Sequence, residues 1–170
     1  MRELGRKSVS EFKESEKLPV IIVLDNVRSL HNVGSVFRTA DAFAVEKLVL
    51  CGITAQPPHR EIQKTALGAT ESVDWEYTED CKQLMLNLRS EGYKVIGIEQ
   101  VSGSISLENQ AHLLKDVKLA LVFGNEVEGV DQDVLDLCDE FWEIPQSGTK
   151  HSLNISVSVG IVLWELVRRH

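Results

Sequence analysis

The feature that most constrains the fold is a series of short apolar runs bounded by polar residues. The runs are VIIVLD at residues 20–25, KLVLC at 47–51, YKVIGIE at 93–99, KLALVFG at 118–124 and EFWEIP at 140–145. Because most of them are continuously apolar rather than alternating, we interpret them as strands buried on both faces, as in parallel sheets. Helical patterns lie between them at residues 32–43, 57–69, 78–92 and 131–137, and a capping box at residues 8–11 predicts a short helix before the first strand. The sequence therefore predicts an α/β fold with a mainly parallel sheet between helices.

Polar segments follow four of these runs, at residues 24–32, 98–103, 123–129 and 144–154. All four are rich in Gly, Asn, Ser and charged residues. In open α/β sheets, ligands bind beyond the carboxyl ends of the strands. We therefore expect the functional site to be built from these segments.

The C-terminal stretch at residues 148–166 fits two structures. From Leu153 to Ile161 every second residue is apolar, which is typical of a half-buried strand. From Ile161 to Val167 only Glu165 is polar, and cations follow, which favours a buried helix with cations in its last turn. The pattern alone leaves both structures open.

Composition bounds the class of protein. The chain has 170 residues, enough for one compact domain, and its net charge of −8 counts against nucleic-acid binding by the general surface. No apolar run approaches the roughly 20 residues that cross a membrane, and the N-terminus lacks the apolar core of a signal peptide. Cys51, Cys81 and Cys138 are far apart in sequence, which predicts free thiols in a reducing cytoplasm.

Several common site motifs are not matched. The segment GNEVEG at residues 124–129 spaces its glycines like a phosphate loop, but it lacks the lysine that contacts the β- and γ-phosphates. No G-x-G-x-x-G follows the first strand, and no serine lies in G-x-S-x-G. The histidines have no paired-ligand spacing, so we expect no metal site.

Three separated stretches match motifs of one known family, in the order in which that family has them. The stretch LHNVGSVFRTADAF matches N-x-G-x-x-x-R-T-A, LALVFGNEVEGV matches the strand followed by G-N/S-E-x-x-G, and IPQSGTKHSLNIS matches I-P-x-x-G-x-x-x-S-L-N-x-S. KTALGA, at residues 64–69, is similar to the family segment between the first two motifs. On these residues, the chain resembles the SpoU (TrmH) branch of the SPOUT superfamily, the S-adenosylmethionine-dependent RNA ribose 2′-O-methyltransferases.

The resemblance implies a SPOUT fold, in which the C-terminal part of the α/β sheet forms a deep trefoil knot, and it implies a homodimer. We expect a short helical extension at residues 1–19 and a methyltransferase domain at residues 20–170. The resemblance also implies that residues 153–168 form a helix. Ser156, Ser158 and Gly160 would then let a backbone or ligand come close, and a helix with few polar residues would be covered by its own sheet and by a partner subunit.

The resemblance also implies an S-adenosylmethionine site in the knot. Carried over by motif, the cofactor-binding residues are Glu99, Gly124, Ile144, Gly148 and Leu153. Glycine at positions 124 and 148 would give a ligand close approach and the turns their φ freedom. Ile144 and Leu153 are equally well explained as core residues.

The catalytic residues implied by the family are Arg38, Asn32, Glu126, Ser152 and Asn154. In the family the arginine is proposed as general base at the attacking hydroxyl. A guanidinium with a pKa above about 12 resists deprotonation, so an arginine fork that binds RNA phosphate and steers the hydroxyl is chemically easier. Asn32 either caps its helix or holds the arginine, and Glu126 is expected to pair with Asn32 or an arginine.

The predicted partner is RNA, either transfer RNA or ribosomal RNA. Arg60, Lys64, Lys150 and His151 are the candidate phosphate contacts. Two alternatives stay open: a non-catalytic RNA-binding or assembly factor on the same fold, and a methyltransferase of this fold that acts on a base nitrogen.

Overall fold

The computed structural model describes residues 7–110, 117–150 and 152–168. Its strands are β1 (Leu18–Asp25), β2 (Val45–Cys51), β3 (Trp75–Thr78), β4 (Lys94–Ile98), β5 (Ile105–Ser106), β6 (Leu119–Phe123) and β7 (Glu140–Glu143). Its helices are α1 (Val9–Glu14), α2 (Leu30–Ala42), α3 (Arg60–Ala66), α4 (Ala69–Ser72), α5 (Cys81–Ser90), α6 (Leu107–Gln110), α7 (Gln132–Leu135) and α8 (Ile155–Arg168). None of the described helices is both long and apolar enough to cross a membrane.

The described strands form one seven-stranded sheet in the order β3-β2-β1-β6-β4-β7-β5. All the neighbouring pairs in it run parallel. Ile22 in the central strand β1 lies opposite Leu48 of β2 on one side and Leu121 of β6 on the other. The predicted parallel α/β fold is thus confirmed, and the trefoil knot stays a prediction.

Strand β1 is apolar from Val20 to Leu24 because its two faces contact two separate cores. Ile22 and Leu24 pack into a core with α2, α3 and α8, where Phe37 is fully buried. Ile21 and Val23 point to the other face, where they pack with residues of α5 and α7. Successive side chains of a strand point to opposite faces, so a central strand covered by helices on both sides needs apolar residues at consecutive positions.

Two edge strands and several helix ends differ from the sequence expectations. Strands β3 and β5 were not predicted; both are short and only partly buried. The predicted capping box at Ser8 and Glu11 is confirmed. The helix predicted at residues 78–92 begins later than expected, because Thr78 ends β3 and the side chain of Asp80 caps α5 by accepting the N–H of Gln83.

The C-terminal stretch is a helix, so the strand interpretation of its alternation is wrong. The buried residues of α8 recur at helical spacing: Ile155, Val159, Val162, Leu163 and Leu166. The remaining apolar positions, Val157, Ile161, Trp164 and Val167, are exposed in the single chain. The alternation arises because the helix has a second apolar side that its own sheet does not cover.

Candidate functional site

A cavity of about 530 Å³ lies at the carboxyl ends of β4, β6 and β7. One wall is apolar and is formed by Ile98, Phe123, Trp142 and Ile144. The polar lining includes Glu99, Gln100, Asn125, Glu126, Ser152 and Asn154. The cavity is therefore built from three of the four polar segments in which the sequence predicts a site, those that follow β4, β6 and β7.

The loop from Gly124 to Gly129, which follows β6, is held closed by its own hydrogen bonds. The backbone N–H of Asn125 donates to the Gly129 carbonyl oxygen at 2.8 Å, and the Gly129 N–H donates back at 3.0 Å. The Asn125 side-chain oxygen accepts the N–H groups of Val127 and Glu128 at 2.8 and 3.1 Å. A Cβ on Gly124 would lie 2.1 Å from backbone atoms of the returning strand of the loop, so glycine is required here by the loop itself.

Glu126 joins this loop to the start of α2. Its carboxylate accepts the backbone N–H groups of Arg28 and Ser29 and the side-chain amide of Asn32, each at 3.1 Å. Burial alone would raise the pKa of this carboxyl, but the hydrogen bonds from the backbone and from Asn32 outweigh it and lower the pKa. Glu126 is thus an anion whose three hydrogen bonds fix the loop against the start of α2.

Asn32 extends the connection to the start of α8. Its side-chain oxygen accepts a hydrogen bond from the Asn154 amide at 3.1 Å, while its own amide donates to Glu126. The Asn154 oxygen in turn accepts the N–H and hydroxyl of Ser156 at 2.9 and 2.7 Å. Asn32 does not cap α2, because the hydroxyl of Ser29 accepts the Asn32 N–H in that role.

Arg38 lies apart from this group of residues. It lines a second cavity of about 590 Å³ together with Ser35, Thr39, Lys64 and Gly160, among others. Its guanidinium is exposed, and within the described part of the chain it has no hydrogen-bond or ion-pair partner. A single chain therefore does not bring Arg38 to the first cavity, and neither Asn32 nor Glu126 holds it.

The family model of the SpoU rRNA Methylase family matches residues 19–164. The chain belongs to this family. It is 31% identical over 161 residues to a Staphylococcus aureus protein named as a TrmH family tRNA/rRNA methyltransferase. That alignment covers 95% of this chain and 63% of the S. aureus protein. It is 30% identical over 169 residues to the 23S rRNA (guanosine-2′-O-)-methyltransferase RlmB of Vibrio parahaemolyticus, covering 99% of this chain and 66% of that one.

The observed fold agrees with a solved structure of an rRNA methyltransferase. The AdoMet-bound rRNA methyltransferase from Sinorhizobium meliloti superposes with a TM-score of 0.82 at 26% identity. That match covers 90% of this chain and 57% of the other. Like the S. aureus protein, it is longer, and this chain spans less than two thirds of either.

Most cofactor residues expected from the SpoU motifs line the first cavity. Glu99, Gly124, Ile144 and Leu153 do so, as do Glu126, Ser152 and Asn154 from the catalytic set. Gly148 does not line it, and a Cβ there would come no closer than 4.0 Å to the Lys150 nitrogen. The φ of Gly148 is not left-handed, so the turn does not require glycine there, and the close approach of Gly148 to a ligand stays a prediction.

Among the residues predicted to contact RNA, some are paired with a carboxylate and others are not. Lys64 is paired with Glu61 at 2.6 Å, and Glu61 also bonds His31 at 2.8 Å. Arg60 and Lys150 are exposed and have no partner among the described residues, whereas His151 lies outside them.

Sequence reasoning missed Arg28, a further exposed cation without a side-chain partner in the described chain. Its backbone N–H is held by Glu126, so its side chain starts at the edge of the site. The available signal was its position inside the polar segment that follows the first strand.

Proposed function

We propose that this chain transfers a methyl group from S-adenosylmethionine to a ribose 2′-hydroxyl of transfer or ribosomal RNA. One observation carries the proposal: three stretches distant in sequence are joined at one cavity by the hydrogen bonds of Asn32, Glu126 and Asn154. The relatives support it, since the Vibrio protein is named as a guanosine-2′-O-methyltransferase and the Sinorhizobium protein was solved with AdoMet bound.

The first cavity fits the cofactor in size and chemistry. Its volume of about 530 Å³ lies within the range of small-molecule sites. Ile98, Phe123, Trp142 and Ile144 offer an apolar wall for a flat base, and Glu99, Ser152 and Asn154 offer polar groups for the rest of the ligand. When bound, S-adenosylmethionine supplies an electrophilic methyl group on a sulfonium.

The main role of the chain's own residues is to position the ribose hydroxyl against the methyl group. A displacement at the methyl carbon requires the hydroxyl in line at near-attack distance, and the hydroxyl must lose its proton. Glu126 is a poor proton acceptor, because three donors already bind its carboxylate and its pKa is lowered. We assign Arg38 to the RNA, as a fork that binds a phosphate and orients the ribose, since guanidinium groups resist deprotonation.

A homodimer would cover the exposed side of α8. Val157 and Trp164 are 49% and 58% exposed, and with Ile161, Leu107 and Pro145 they line an apolar groove of about 400 Å³. Gly160 lines both this groove and the cavity of Arg38. A second copy on this side would therefore lie beside Arg38, and we propose that Arg38 acts at the cofactor cavity of the partner subunit.

Sedimentation tests the dimer. Trp164→Glu should convert a dimer to a monomer, whereas Leu86→Glu, a similar change at an exposed position of α5, should leave the dimer intact. Equal sedimentation of Trp164→Glu and wild type would contradict the proposed face. Arg38→Ala and Gly124→Ala should each impair transfer when expressed alone. Their co-expression should restore activity in part if the site is shared, since a mixed dimer then contains one site with an intact cavity and an intact Arg38.

The activity is tested by transfer of labelled methyl to bulk transfer RNA and, separately, ribosomal RNA from a strain lacking this protein, followed by digestion to nucleosides. We expect label in a 2′-O-methyl nucleoside, and Arg38→Ala should abolish transfer while retaining cofactor binding. Arg89→Ala, on the α5 side of the sheet, is the matched control. Label on a base nitrogen would refute the ribose assignment, and failure to bind cofactor would favour the non-catalytic RNA-binding alternative. We also propose a cytoplasmic location, because Cys51, Cys81 and Cys138 are free thiols.

A further inference from the structure

Glu99 places a carboxylate inside the first cavity, directly after β4. The side chain is half-buried and lines the cavity next to Ile98. The N–H of Val130 donates to its Oε2 atom at 3.3 Å, and the N–H of Gln100 donates to its Oε1 atom at 3.3 Å. Each oxygen therefore has one backbone donor, which fixes the plane of the carboxylate.

The loop after β6 leaves space for this carboxylate. A Cβ on Gly129 would lie 2.7 Å from Oε2 of Glu99, closer than such atoms approach one another. Gly129 also has φ +75°, a left-handed conformation that favours glycine. The glycine at position 129 thus serves both the turn of the loop and the packing of Glu99 against it.

The bonding state of Glu99 indicates what kind of ligand it receives. An ionised carboxylate offers about four acceptor sites, and only two are used here. No cation pairs with Glu99 within residues 7–110, 117–150 and 152–168. The group facing it must therefore donate hydrogen bonds, and a negatively charged group such as a phosphate would be repelled.

We propose that the carboxylate of Glu99 accepts hydrogen bonds from both ribose hydroxyls of the bound adenosyl cofactor and so selects ligands with a vicinal diol. The inference rests on the proposed function. The two oxygens of the carboxylate lie in one plane, and each can accept one more hydrogen bond, so they match two adjacent hydroxyls. The amino group of the methionyl part carries all its donors on one nitrogen and so matches the two oxygens less well. The apolar wall next to Glu99 would hold the adenine that carries this ribose.

The test uses isothermal titration calorimetry with three ligands that remove the candidate donors in turn. S-adenosylhomocysteine has the diol and the ammonium group, 5′-methylthioadenosine has the diol alone, and 3′-deoxy-5′-methylthioadenosine lacks one hydroxyl. The proteins are wild type, Glu99→Gln and Glu128→Gln. Glu128 is a matched control, since it is an exposed glutamate of the neighbouring loop that does not line the cavity.

We expect Glu99→Gln to weaken both diol ligands by the same factor, roughly 10- to 100-fold, because bonds to a charged acceptor are lost. The 3′-deoxy ligand should lose clearly less, and its retained binding would show that the variant is folded. Glu128→Gln should change no Kd. A loss confined to S-adenosylhomocysteine would assign Glu99 to the ammonium group and overturn the proposal, as would equal losses for all three ligands. If wild type binds none of them, the proposed function fails rather than the role of Glu99.

Discussion

Gly124→Ala is the most informative single substitution, because the structure defines what the added methyl group meets. Its Cβ would lie 2.1 Å from the Gly129 carbonyl carbon and the Val130 nitrogen, and 2.4 Å from the Gly129 oxygen. Ordinary contact begins at 3.4 Å, so the loop must retreat by about 1.3 Å. These neighbours are backbone atoms, which cannot rotate away as a side chain would.

The energetic cost follows from what the retreat breaks. The two backbone hydrogen bonds between Asn125 and Gly129, at 2.8 and 3.0 Å, close the loop at this point. Overpacking costs about 1–3 kcal/mol, and each lost hydrogen bond about 1 kcal/mol. We expect Gly124→Ala to lower the free energy of unfolding by about 3–5 kcal/mol if both hydrogen bonds are lost. It should also weaken cofactor binding, since the same loop lines the cavity.

Urea denaturation and calorimetric titration with S-adenosylhomocysteine measure the two effects. Gly148→Ala is the control, because its Cβ meets no atom closer than 4.0 Å and its φ is not left-handed. That variant should unfold within about 0.5 kcal/mol of wild type, as surface substitutions usually do. A Gly124→Ala protein as stable as Gly148→Ala would refute the steric argument. A loss of cofactor affinity in Gly148→Ala without a loss of stability would instead support the close-approach role predicted for Gly148.

Three further predictions concern the edge of the site. The pKa of Glu126 is lowered, so its contribution to stability is present above its unfolded pKa of about 4.3 and is lost as pH falls through the folded value. In Glu126→Gln, stability should therefore depend less steeply on pH below about 4.3. Asn154→Asp keeps the oxygen that accepts Ser156 but loses the donor to Asn32, so methyl transfer should fall while thermal stability stays near that of wild type. Arg28→Ala should reduce the salt slope of RNA binding by about one, and the paired Lys82, in Lys82→Ala, should not.

The central layers of the fold could be predicted from sequence because they follow from local pattern. Strand β1 needs apolar residues at consecutive positions to contact two cores, and that requirement is visible in VIIVLD. The edge strands β3 and β5 could not be found in the same way. They are short and half-buried, and each pairs with a strand on only one side, so their composition carries little pattern.

The hydrogen bonds within the site could not be predicted from local sequence pattern. Asn32 and Glu126 are 94 residues apart, and Asn154 and Asn32 are 122 residues apart. The motifs named the residues, but the partners of each are set by the strand order, which brings the ends of β1 and β6 side by side. The same reasoning explains why the cap role of Asn32 was wrong: only the structure reveals that Ser29 fills it and leaves the amide free for Glu126.

Arg38 is the residue for which sequence and structure differ most in what they imply. The motif places it six residues after Asn32, which suggests one site, yet on α2 its side chain opens into a different cavity, beside Gly160 of α8. The same glycine borders the uncovered apolar groove of α8. Arg38 is separated from the first cavity, and one apolar face of α8 is uncovered. If Arg38 is essential for transfer, a second chain packed on α8 explains both features. Activity and dimerisation should then be lost together in Trp164→Glu, although Trp164 does not line the first cavity.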